Sequence, residues 1–162
     1  MDLFKYTAHE LHEKLVNKEI TAVELTNAVY DRIAAVDEQV NAYISLSKEE
    51  ALAKAAEVDA KIAAGEAIAP LAGIPVVFKD NINIYGQVTS CASKMLQGVE
   101  TVFDAHVTEE LRKEDAVFLG KANMAEFSIG NTTDNSFNGA VHNPWNLNCT
   151  TGGCATAAAK PA

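Results

Sequence analysis

The sequence predicts an α/β fold in which helices come first and a mixed, partly parallel sheet flanked by helices follows. Three observations predict it. Residues 1–66 carry three Ser/Thr-x-x-Glu helix starts, each followed by apolar residues at helical spacing. Residues 67–148 hold two short apolar runs, 74–78 and 116–119, both too short for helices. A helical pattern lies between those runs, and a strand, a helix and a strand in succession read as a parallel βαβ unit.

Each element has its own signal. Thr7-x-x-Glu10 opens a helix with Ala8, Leu11 and Leu15 on one face. Thr21-x-x-Glu24 opens a second, with Ala22, Leu25, Val29, Ile33 and Val36 at helical spacing. Ser47-x-x-Glu50 opens a third through Ala51, Leu52, Ala55, Val58 and Ile62, and Gly65 supplies its stop. In each box the hydroxyl accepts from an orphan amide and the Glu reaches back. The charged positions of these helices read as solvated faces. Ile74-Pro-Val-Val-Phe78 reads as a buried strand ending in Lys79-Asp80-Asn81, and residues 82–103 as mostly irregular. Asp104 caps a helix to about Glu114, and Ala116–Leu119 is the next strand, closed by Gly120 and Lys121. Met124–Phe127 reads as a short helix, and from Gly130 onward the chain reads as loop.

The 162 residues, 48% of them apolar, are enough for one domain with a core. The expected organisation is a single domain: N-terminal helices over 1–66, an α/β portion over 67–148, and a divergent small-residue tail over 149–162. Thirteen basic against 22 acidic residues leave a net charge of −9, which argues against direct phosphate-backbone binding as the main task. No apolar run approaches the length of a membrane span, and no signal-peptide core follows the start, so no membrane role and a cytoplasmic chain are expected. Three cysteines make no disulfide framework. Cys149 and Cys154 lack a partnering Cys/His pair and the four histidines are scattered, so no metal site is expected.

Three places could carry chemistry. Lys79 directly follows a buried strand, where α/β proteins place ligands and catalytic groups. Burial there disfavours its charged form and suits a general base, while the plainer alternative is a lysine snorkelling out at a strand end. Gly152-Gly153-Cys154 is a small-residue turn before a thiol; adjacent glycines bring backbone amides to a ligand, but a lone cysteine is commonly a small buried hydrophobe. Thr132–Ser136 is rich in donors and acceptors, which serve substrate or simply their own turn.

These residues also fall in a known order. Leu71-Ala-Gly-Ile-Pro-Val-Val-Phe-Lys-Asp-Asn81 resembles the lysine motif of the amidase signature family. Thr89–Leu96, Gly120–Phe127, Thr133–Ser136 and Asn143–Asn146 are similar to its following segments. The resemblance spans roughly residues 7–148. The Cys91–Leu96 segment resembles in particular the A subunits of tRNA-dependent amidotransferases.

The resemblance implies the N-terminal part of an α/β/α fold, incomplete in this chain. It implies a Lys–Ser–Ser mechanism, with Lys79 as the base, a bridging serine, and a second serine as the nucleophile. It implies glutamine as the ammonia source, B and C subunits as partners, and tRNA met indirectly through them. ATP and magnesium would be used by the partner subunit, with no cofactor on this chain. Asp80, Asn81, Thr133, Asn135, Gly152 and Gly153 are implied as supporting or substrate-side residues.

The departures are specific. Counting from Trp145, Cys154 occupies the bridging serine's place and Thr151 that of a proline; only Gly152 and Gly153 match. A thiol hydrogen-bonds weakly, so proton relay through it is impaired. No counterpart of the nucleophilic serine occurs in the 162 residues, so this stretch is expected to be inactive alone. A general amidase of the family and a non-catalytic remnant are the alternative readings.

Overall fold

The computed structural model describes residues 3–153, and the Cys154 position therefore lies outside the described residues. The chain divides into two compact units. Among the described residues the first comprises 3–35, 47–76 and 110–119; the second comprises 36–46, 77–109 and 120–153.

The helices form where the capping boxes open them. Helix α1 covers Ala8–Val16, α2 Ala22–Val40 and α3 Lys48–Ala63. At α1 the reciprocal Thr7–Glu10 box is complete. At α2 the Thr21 amide donates to Glu24 (2.9 Å) and the Glu24 amide to Thr21 Oγ1 (3.0 Å). The third expected box does not form, for the Ser47 side chain makes no capping bond. The Ser47 amide instead donates to Leu119 O at 2.9 Å, so no Glu can reach back to it.

In the first unit Leu11, Leu15, Leu25, Ile33, Ala51, Ala55 and Val58 are buried, as the helical spacing predicts, whereas Ala8 is exposed and Val29 half-buried. Gly73, at φ +75°, sits where a Cβ would come within 3.0 Å of Ala22 Cβ and 3.2 Å of Leu15 Cδ1. Two charged positions are more than a solvated face. The Asp59 carboxylate of α3 takes the first amides of α2, Ala22 N (2.7 Å) and Val23 N (3.1 Å). Asp115 pairs with both Lys54 and Lys61.

Three strands form one sheet in the order β1-β3-β2: β1 is Tyr43–Leu46, β2 Pro75–Lys79 and β3 Val117–Ala122. Strand β2 runs parallel to β3, for Val117 N bonds Ile74 O and Asp80 N bonds Ala122 O. Strand β1 pairs antiparallel to β3, with Tyr43 opposite Ala122 and Leu46 opposite Gly120. The mixed sheet is as expected, but β1 is an element the sequence reading missed. It begins where Asp37, near the end of α2, accepts from Ala42 N (2.7 Å) and Tyr43 N (3.3 Å). Gly120 is required beside it, because a Cβ there would collide with Ser45 O.

Helix α4, His106–Lys113, lies between β2 and β3 in sequence as expected. Strand β3 runs three residues past its expected end, which places Lys121 inside the sheet. The expected helix over 124–127 is instead a single 3₁₀ turn, Glu126–Ser128, with Phe127 at φ 50°. The stretch after Gly130 is not all loop: β4 (His142–Asn143) and β5 (Asn146–Thr150) make an antiparallel hairpin around Pro144-Trp145. Among the described residues no helix is long and apolar enough to cross a membrane.

Candidate active site

Lys79, Asp80 and Asn81 stand at the carboxyl end of β2, while Thr133, Gly152 and Gly153 lie in or beside the hairpin region. Lys79 is the last residue of β2 and is half-buried. A turn follows at once, closed by Ile82 N donating to Lys79 O at 2.9 Å.

Asp80 is 1% exposed, so its carboxylate must be answered from within the protein. Its Oδ2 accepts from Ser90 N (3.1 Å), Ser90 Oγ (2.5 Å) and Ala92 N (3.2 Å). Its Oδ1 lies 3.5 Å from Nζ of Lys121, whose side chain is wholly buried. The Lys121 ammonium donates also to Ile82 O (2.7 Å) and Thr89 Oγ1 (2.9 Å), so its three protons have three acceptors. Burial pushes Lys121 below the ordinary lysine range, and the Asp80 charge works against that shift.

The loop around Asp80 is tied outward as well. Cys91 and Ala92 take left-handed conformations (φ 51° and 53°), and their carbonyls accept from Phe127 N and Phe137 N. Burial pushes the Cys91 thiol up, with Asp80 adding to the shift and Lys121 and Lys79 opposing it, which makes Cys91 a poor nucleophile.

Asn81 is exposed, and its Nδ2 donates to Ser128 Oγ at 3.2 Å. Asn135 holds the same turn through Glu126 N (3.1 Å) and Ile129 O (2.9 Å). Thr133 is fully buried and its Oγ1 accepts from Val141 N at 2.8 Å. These side chains of the polar run thus bond the chain's own backbone. Together with the hairpin the run lines an open cleft of about 380 Å³, whose walls include Thr132, Thr133, Asp134, His142, Cys149 and Thr150. Gly152 and Gly153 are exposed just past β5, at φ 73° and 77°. Among the described residues no group of three His, Cys, Asp or Glu side chains could hold a metal ion.

The geometry thus joins Lys79, Asp80 and Asn81 to the 89–93 and 126–137 segments. Three residues of this network were not singled out from sequence: Lys121, Ser90 and Asn123. Asn123 is buried, accepts from Met124 N (2.8 Å) and Ser136 Oγ (2.7 Å), and donates to Asn41 O (3.1 Å) and Gly139 O (3.0 Å). A lysine among small residues, Leu119-Gly-Lys-Ala-Asn123, was the available signal for Lys121.

Lys79, the residue on which the family resemblance centres, thus ends a parallel strand and is followed directly by a buried carboxylate. The Amidase family model matches residues 24–159, and the chain belongs to that family. It is 51% identical over 153 residues to the A subunit of the glutamyl-tRNA(Gln) amidotransferase of Clostridium botulinum (strain Loch Maree / Type A3), an alignment covering 94% of this chain and 32% of that one. The crystal structure of the corresponding protein from Thermotoga maritima superposes with a TM-score of 0.75 at 31% identity, over 97% of this chain and 31% of that one. A bacterial aryl acylamidase of the amidase signature family superposes with a TM-score of 0.86 at 28% identity, over 94% and 32%. The chain spans about a third of the length of the relatives it matches.

Proposed function

We propose that this chain is the lysine-bearing part of an amidotransferase A subunit that hydrolyses glutamine and passes the ammonia to a partner subunit. The single observation that carries the reading is Lys79 at the carboxyl end of β2, within a motif order and sequence about half identical to such subunits. Glutamine is the amide substrate and Glu-tRNA(Gln) or Asp-tRNA(Asn) the final acceptor. The B and C subunits are the partners, and ATP and magnesium are used on the partner's side.

In this reading Lys79, as the neutral amine, takes the proton of a bridging side chain. That group takes the proton of a serine hydroxyl, whose oxygen attacks the amide carbon. The acyl–serine bond forms, the C–N bond breaks, and ammonia leaves with the returned proton. Water then hydrolyses the ester and regenerates the serine. The nucleophile belongs to the portion of the relatives that has no counterpart here. Cys154 stands at the bridging position, where a thiol relays a proton less well than a hydroxyl.

The test is glutamine hydrolysis by a chain extended to its relatives' length, with and without the partner subunits. Lys79→Ala is expected to lower the rate by about 10²–10⁴-fold, the usual contribution of a general base. Cys154→Ser is expected to raise it. Hydrolysis indifferent to Lys79→Ala would overturn the proposal.

A further inference from the structure

We infer that Lys121 and Asp80 act together as positioning residues for Lys79, their buried pair fixing the turn that follows Lys79 and the 90–92 loop bound to Asp80. The inference rests on the amidase reading in one respect, the role given to Lys79.

The two ends of the pair hold different pieces of backbone. Lys121 Nζ bonds Ile82 O at 2.7 Å, while Ile82 N bonds Lys79 O at 2.9 Å. The turn that leaves Lys79 is therefore anchored to the buried ammonium. Asp80 Oδ2 gathers three donors from Ser90 and Ala92, and the Asp80 carbonyl accepts from Cys91 N at 3.1 Å. Cys91 and Ala92 hold φ values near +50°, a conformation that side chains other than glycine and asparagine rarely adopt. Such a conformation persists only where the surroundings over-determine it, and the Asp80 carboxylate supplies that constraint.

A buried ion pair is a poor device for stability alone. Apolar residues of similar volume often match it, while the pair does set which groups meet. Here Asp80 is the next residue after Lys79, and each of its oxygens is committed to a separate partner set. Lys121 comes from another strand, so the pair also ties the end of β2 to β3 next to Lys79.

The test compares Lys121→Met, Asp80→Asn and the double variant by two readouts. One is the denaturant midpoint. The other is the rate at which a small amine-acylating reagent modifies Lys79 at fixed pH, followed by peptide mass spectrometry with Lys14 as internal reference. The single variants are expected to lose stability, since each leaves a buried group without its partner. The double variant, with both charges removed, is expected to recover much of the midpoint. In the double variant Lys79 is nonetheless expected to be acylated several-fold faster than in the wild type, with Lys14 unchanged.

A Lys79 rate at or below the wild-type value in a folded double variant overturns the inference. So does a double variant that does not fold, which would make the pair a requirement of the fold itself. Glutamine hydrolysis is not part of either readout. Loss of the amidase reading through an inert Lys79→Ala would therefore leave the acylation result standing.

Discussion

The two compact units are held together by different forces. In the first, apolar faces of α1, α2 and α3 supply Leu11, Leu15, Leu25, Ala51, Ala55 and Val58, and polar groups act mainly at helix ends. In the second, the buried set includes Asp80, Ser90, Ser93, Lys121, Asn123 and Thr133, each in loops or at strand ends. Apolar packing is non-directional and tolerates exchange of one shape for another. A buried polar network fixes directions and tolerates little, because each lost partner leaves a desolvated group behind. A site that must hold a lysine in place is better built from the second kind of material.

Conservative substitutions sharpen this contrast. Asn123 uses both its oxygen and its amide twice over, toward Met124, Ser136, Asn41 and Gly139. Asn123→Leu has similar volume but strands those partners. We expect a loss of about 3 kcal/mol or more, from one to three for each buried group left unpaired. Leu25→Met in the first unit also keeps volume and is expected to lose less than about 1.5 kcal/mol. Denaturant midpoints of the two variants measure the difference directly. Equal losses would break the comparison, and the second unit would then be as plastic as the first.

The same contrast explains what could be read from sequence. The Thr7 and Thr21 boxes are local signals spanning four residues, and both formed. Ser47 carried the same pattern and did not, because its amide was claimed by Leu119, about seventy residues away in the chain. Strand β1 was missed for a related reason: Tyr43–Leu46 becomes a strand by pairing with Gly120–Ala122, and nothing within four residues announces that. The βαβ succession and the place of Lys79 were legible because apolar runs and their ends are local. Lys121 was not, since its burial depends on a carboxylate 41 positions earlier, and spacing does not show which distant charges meet. The run 132–136 was open between substrate contact and turn chemistry; Thr133 and Asn135 bond backbone at Val141 N, Glu126 N and Ile129 O.

The smallest expected effect concerns the charges of the first unit. Asp115 is held below the ordinary carboxylate range, chiefly by its hydrogen bond from Lys61, with Lys54 contributing. A carboxyl whose value is lower in the folded state than in the unfolded chain adds stability when ionised. That stability is fully present above the unfolded value of 3.8, and it fades as pH falls through the lower folded value. The partners are partly solvated, so the contribution is at most about 1 kcal/mol and weakens with salt. Asp115→Asn should therefore lower the denaturant midpoint slightly at pH 7 and leave it nearly unchanged at the acid end of the range. A difference that grew toward low pH would have the wrong sign for this pairing. It would mean that the two lysines stabilise the first unit in some way other than through the ionised carboxylate of Asp115.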